Sequence, residues 1–253
     1  MYLEKLNRNE EAFRLLEGMF LDIGKIESVE IRLSMHKARA TLLIKQEMYE
    51  EATYYAMKAI PLARLDKRVN RSFELWTTLG QSFSKRKDYV KAERCFRTAL
   101  KLEKEIKRKH LLISTYTKLG LLYLKTGRIS LAQRNLVKAV KFGKRTNHAF
   151  RLCEALIALG DCYISQEVNH EAKACYQQAL TLAEQHTLKV QEHEILLKLA
   201  QCCENDDPIN YEKYKDRFFQ IHLQQMQGGE SSTMEQNGQI ERVVLVGDEP
   251  PET

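Results

Sequence analysis

Six cysteines and seven histidines are the side chains in this chain best suited to bind a metal or attack a carbonyl. Their spacing argues against both roles. Cys95 and Cys175 stand two forty-residue periods apart, and Cys162 and Cys202 one period apart. Recurrence at a fixed interval is what packing demands of a small apolar residue. No C-x-x-C pair occurs, and Cys202 and Cys203 are merely adjacent. The histidines lack ligand spacing such as H-E-x-x-H, and no G-x-S-x-G, G-x-x-x-x-G-K-[ST] or G-x-G-x-x-G is present. The expectation is therefore no catalytic residue, no metal and no cofactor, and a chain that is not an enzyme.

Charge offers a different chemistry. Arg64, Lys67, Arg68 and Arg71 form one basic cluster, Lys107, Arg108 and Lys109 a second, and Lys144 and Arg145 a third, again about forty residues apart. If each cluster ends a helix, the helix dipole favours the cations by about 0.3–1 kcal/mol, which is a structural reason for them. Aligned along one edge, they would also attract an acidic protein or nucleic acid in a salt-dependent way. No zinc-finger or stacking-aromatic motif supports nucleic acid specifically.

The rest of the chain must hold such residues in place. It has 253 residues, enough for a sizeable core, with 29% charged and 43% hydrophobic residues and a net charge of +6. Eleven glycines and four prolines are few breakers for this length, which favours long helices over many short strands. No run of about 18 apolar residues exists, so no membrane span is expected. The first residues carry charges and no apolar stretch, so no signal peptide is expected, and cysteines without one point to the cytosol.

One sparse pattern recurs in frames beginning at 33, 73, 113, 153 and 193. The eighth position holds Ala40, Gly80, Gly120, Gly160 and Ala200. The twentieth holds Ala52, Ala92, Ala132 and Ala172, and the twenty-seventh Ala59, Ala99, Ala139 and Ala179. Large residues fill other slots: Trp76, Tyr116 and Leu156 at the fourth, Phe83, Tyr123 and Tyr163 at the eleventh, Phe96, Leu136 and Tyr176 at the twenty-fourth. Spacings of three, four and seven put these on one face of a helix. Small residues mark close helix approach, with bulky ones filling the gap beside them. Polar breaks at 84–88, 124–128 and 165–170 divide each frame into a helix–turn–helix hairpin. A hairpin cannot bury its own apolar face, so hairpins must stack into an all-α solenoid.

Trp76-x-x-Leu79-Gly80-x-x-Phe83 with Ala92, Phe96 and Ala99 resembles the tetratricopeptide repeat, and the next two frames follow it closely. The period departs from the usual one of about 34 residues, and longer second helices are expected to absorb the difference. The resemblance implies a right-handed superhelix whose concave groove is lined by fixed positions of each first helix. On this chain those positions give Lys37 and Thr41, then Thr77 and Gln81, then Thr117 and Lys118, then Asp161, and finally Lys198 and Gln201. Glu74, Lys85, Ser114, Lys125, Glu154 and Glu194 belong to the same set. It implies a groove that binds a protein or peptide segment, as an adaptor or as the sensor part of a regulator. The residues do not fit the family's clamp for acidic chaperone tails. The overall look is also similar to the Rap-type, peptide-responsive regulators of Gram-positive bacteria, although the groove asparagines of those receptors have no equivalent here.

The ends depart from the frame. Residues 4–20 read as the second helix of a repeat whose first helix is missing, with Ala12 on the twentieth position. Its apolar face needs a cover, and a second copy of the chain would supply one. Residues 193–225 read as a degenerate capping repeat, closing a repeat domain over 1–225. Residues 226–253 read as a disordered acidic tail of six acids and one base around an apolar island, Val243-Val244-Leu245-Val246. Such a tail could bind back into the groove of its own chain.

Overall fold

The computed structural model describes residues 23–204 and 206–223, with 14, 15, 18 and 20 before them. Helices follow one another throughout: α1 Val29–Lys45, α2 Tyr49–Leu65, α3 Val69–Lys85, α4 Tyr89–Lys101, α5 His110–Lys125, α6 Ile129–Thr146, α7 Ala149–Ile164, α8 Asn169–Gln185 and α9 Lys189–Cys203. Residues 208–223 form α10. The described residues contain no strand. The architecture is the expected solenoid of helical hairpins, with α1, α3, α5, α7 and α9 as the first helices.

The forty-residue period has a different origin from the one expected. Both helices of a repeat are long: α1, α2 and α3 each have 17 residues. Each first helix begins about four residues before the frame, at 29, 69, 110, 149 and 189, so first and second helices share the extra length.

The turns repeat as faithfully as the helices. Glu47, Lys67, Lys87, Gly127, Asn147, Glu167 and Thr187 recur every twenty residues with φ between 49° and 70°. After most of them the next amide bonds back to a carbonyl five residues earlier, as Arg68 to Ala63 (2.8 Å) and Leu188 to Ala183 (2.8 Å). This left-handed residue closes the helix and reverses the chain in three residues. The series breaks once, at 102–109. There α4 stops after 13 residues and Ile106 fills the gap, 1% exposed.

The small-residue positions are the tightest contacts. A Cβ on Gly80 would stand 2.7 Å from the Phe96 ring, and one on Gly120 2.5 Å from Leu136; Gly160 meets Tyr176 in the same way. The recurring alanines at positions 20 and 27 are all fully buried. The core is nonetheless divided. One cluster runs from α3 to α10 and another joins α1 to α3, with Trp76 and Phe83 packed against both.

The expected orphan helix at 4–20 and the acidic tail at 226–253 fall largely outside the described residues. Phe20 is described: its ring meets His36 and Tyr55 edge-on at 5.3 Å, with the Arg39 guanidinium over it at 4.6 Å. The capping helix α10 is pinned by Arg217, which pairs with Glu184 (2.5 Å) and the buried Glu192 (2.6 Å).

Candidate functional site

The first helices form the concave wall, and their polar faces enclose a cleft of about 400 Å³ between α3, α5, α7 and α9. Gln81 and Lys85 border it on α3, Ser114, Lys118 and Lys125 on α5, Glu154 and Asp161 on α7, and Glu194 on α9. It is cationic on the α3–α5 side and anionic on the α7–α9 side. Leu121, Ile157 and Ala158 give it an apolar floor. Cations, amides and hydroxyls over such a floor suit the backbone and side chains of an extended peptide.

Lys118 is the central group. Protein surrounds its stem, and its ammonium has neither a hydrogen bond nor an ion pair among the described residues. Burial holds its pKa below the usual lysine value, and the Glu154 charge only partly offsets this. Glu154 is pushed in the opposite sense, its carboxyl raised by burial despite Lys118 and Arg151. Two charges of opposite sign thus face the cleft, each incompletely satisfied.

Other sequence-derived groove residues are already occupied. Lys37 pairs with Glu74 at 2.6 Å, and Arg71 joins them, bonding Glu74 at 3.0 Å, Ser34 at 3.0 Å, and Glu30. Thr77 hydrogen-bonds Thr115 across the α3–α5 contact at 2.9 Å. Thr41 donates to the Lys37 carbonyl at 2.9 Å, and Thr117, at the cleft wall, to that of Ile113 at 2.9 Å. Asp161 accepts from Tyr176 at 2.7 Å and Lys198 at 2.6 Å. Lys198 and Gln201 then line a second cleft of about 340 Å³ beside Asn169. The central cleft thus gathers Gln81, Thr117, Lys118 and Asp161; Lys37, Thr41 and Thr77 lie outside it. Gln191 was missed, because the frame starts at 193 and the helix at 189.

Comparison with known proteins agrees with this architecture. Family models described as tetratricopeptide repeat match residues 71–145 and 154–186. No curated protein is matched by the chain. Solved structures share the fold at low identity. BtubC (BKLC) from P. vanneervenii has a TM-score of 0.67 at 16% identity, covering 97% of this chain and 91% of its own. The apo form of RapI has a TM-score of 0.72 at 14% identity, over 92% and 84%. A Rap protein complexed with competence and sporulation factor gives 0.65 at 12% identity, over 88% and 73%. The chain is a tetratricopeptide-like helical repeat protein.

In this repeat protein the first two basic clusters meet at one cleft, with their charges partly spent. Lys67, Arg68, Arg71, Lys107 and Arg108 border one cleft of about 310 Å³ with Glu30 and Glu105. Arg71 is turned inward onto Glu30 and Glu74, and Arg68 pairs with Asp66 at 2.5 Å. Lys109 donates to the Glu103 carbonyl at 2.6 Å, and Lys144 reaches Gln178 at 3.5 Å. Arg64, Lys67, Lys107, Arg108 and Arg145 stay exposed. Next to the second and third clusters, the His110 and His148 rings lie tilted to each other, 5.5 Å apart.

Cys95, Cys153, Cys162, Cys175 and Cys203 are buried. Burial pushes the Cys153 thiol up to about 12, and those of Cys95 and Cys175 to about 11. Among the described residues no group of three or more His, Cys, Asp or Glu could hold a metal ion. No helix among them is long and apolar enough to cross a membrane.

Proposed function

We propose that this repeat protein is a non-catalytic binding module that holds a peptide segment in the cleft between α3, α5, α7 and α9, as an adaptor or as the sensor part of a regulator. The observation that carries this reading is Lys118. Its half-buried ammonium faces the cleft with no hydrogen-bond or ion-pair partner among the described residues, and an acidic side chain or terminal carboxylate of a ligand would satisfy it. Gln81 and Ser114 stand beside it to bond a peptide backbone, and Glu154 and Glu194 would take a basic group further along. A structurally similar Rap protein is solved with competence and sporulation factor, and another similar chain carries a tetratricopeptide sensor on a signal-transduction ATPase. Both accord with a regulatory role that has a protein or peptide as partner, which this reading sets in the cytoplasm.

The test is affinity capture from native lysate with the wild-type chain and a Gln81→Ala/Lys118→Glu variant, followed by mass spectrometry. A ligand captured by the wild type and lost by the variant supports the groove. Capture that survives the variant and vanishes at high salt places the partner, acidic protein or nucleic acid, on the basic edge instead.

A further inference from the structure

The outer face of the solenoid carries a second, chemically different recess. It lies between α2 and α4, both second helices, and is floored by Trp76, Leu79 and Phe83 of α3. It comprises adjoining hollows of about 610 Å³ and 380 Å³ that share Trp76 and Arg64. The seam between the two core clusters runs here, so the apolar side of α3 is only half covered. Met57 and Pro61 form part of its wall. Pro61 has no amide, so the carbonyl of Met57 lacks its usual helical donor at the lip of the recess. The rim is mainly cationic: Arg64, Lys67, Arg94 and Lys101 are all exposed, and none has an acidic partner within ion-pair distance among the described residues, while Glu105 is the one acid in the lining.

We propose that this furrow is a docking site for an apolar strand flanked by acids, and that its occupant is the chain's own segment 241–249. That segment reads Glu-Arg-Val-Val-Leu-Val-Gly-Asp-Glu. Its four apolar side chains match the Trp76 floor, and Glu241, Asp248 and Glu249 match the rim. The concave cleft is the poorer host, because Glu154, Asp161 and Glu194 would repel these acids.

Reach permits the docking. Consecutive helices alternate in direction, so α2, α4 and α10 end at the same edge of the solenoid. From α10 to α4 is three steps within the outer layer, whose helices do not pack directly on one another, so the distance is on the order of 40 Å rather than the ~30 Å of packed helices. The twenty residues from Leu223 to Val243 span up to about 65 Å when extended.

Trp76 is the single tryptophan of the chain, so its fluorescence reports the furrow directly. The experiment is acrylamide quenching of the full chain against a Val244→Asp/Leu245→Asp variant, with circular dichroism confirming that both are folded. The variant is expected to quench at least about two-fold more readily. Added peptide 239–253 should restore protection to it, and Arg94→Glu/Lys101→Glu in an otherwise unaltered chain should expose Trp76 to the same degree. Equal quenching in all three proteins would overturn the proposal. So would protection that grows with protein concentration, since the segment would then come from a second copy.

Discussion

The ring of Phe96 lies against the Cα of Gly80 at a distance that leaves no room for a methyl group: an added Cβ would sit 2.7 Å from Cε1. This one contact sets how closely α3 and α4 approach, and it is reproduced at Gly120 with Leu136 and at Gly160 with Tyr176. Helix propensity alone would reward alanine at these positions by about 1 kcal/mol. Overpacking in the hairpin outweighs that gain, at about 1–3 kcal/mol. Gly120→Ala should therefore lower the urea midpoint with an unchanged slope. In a Leu136→Ala background, where the new methyl has space, the same change should be neutral or stabilising.

The turns make the opposite prediction. Thr187 is β-branched and holds φ at 51°, a conformation that costs an L residue roughly 1–2 kcal/mol. Its hydroxyl meets only the adjacent His186 carbonyl, at 2.8 Å. Thr187→Gly should raise the melting temperature, relieving strain worth about 1 kcal/mol after the extra chain entropy of glycine is subtracted. Gly127→Val, at φ 70°, should lower it by a similar amount.

These two regularities also mark what the sequence could and could not disclose. The small and large slots, and hence the hairpins and their stacking, were readable because each identity is forced by close contact in mid-helix. Helix starts were not readable. Met48, Arg68, Arg128, Val168 and Leu188 precede helices without making a side-chain cap. Ser28, Asp88 and Asp207 alone among the described helix starts accept a bond from the first turn of theirs. A frame read from the packing slots accordingly starts about four residues inside each helix and omits Gln191. The groove positions of Gln81 and Lys118 followed from the frame, whereas the capture of Arg71 by Glu30, 41 residues away, could not, because no local pattern encodes it. The convex furrow was equally hidden, since it arises where two core clusters fail to merge.

Glu74 ties α1 to α3 and supplies a pH dependence. Burial pushes its carboxyl up, but bonds from Lys37 and Arg71 outweigh this and hold it below its ordinary value of 4.5. A depressed carboxylate contributes stability that is fully present above its unfolded pKa and lost as pH falls through the folded one. Acid titration of the chemical-denaturation midpoint should therefore show a loss beginning below about pH 4.5. Glu74→Gln should flatten that part of the curve while lowering stability at neutral pH, because it takes from Lys37 its acidic partner and leaves Arg71 with Glu30 alone. An unchanged acid limb in the variant would assign the loss to other carboxylates.

Lys118 separates stability from function most clearly. Its pKa is lowered by burial, so the neutral form is the better fitted to the folded chain, and stability rises with pH as the ammonium loses its proton. Lys118→Met keeps the length of the stem and removes the charge. Replacing an unpaired, partly desolvated ammonium by an apolar isostere should stabilise the free protein by at most about 1 kcal/mol, visible as a higher melting temperature at neutral pH. Were the residue structural, binding would be unaffected or improved by that gain. If instead it waits for a ligand's carboxylate, the variant should be more stable and should retain at most about a tenth of the wild-type affinity for a captured peptide, the scale of one lost charge-assisted hydrogen bond.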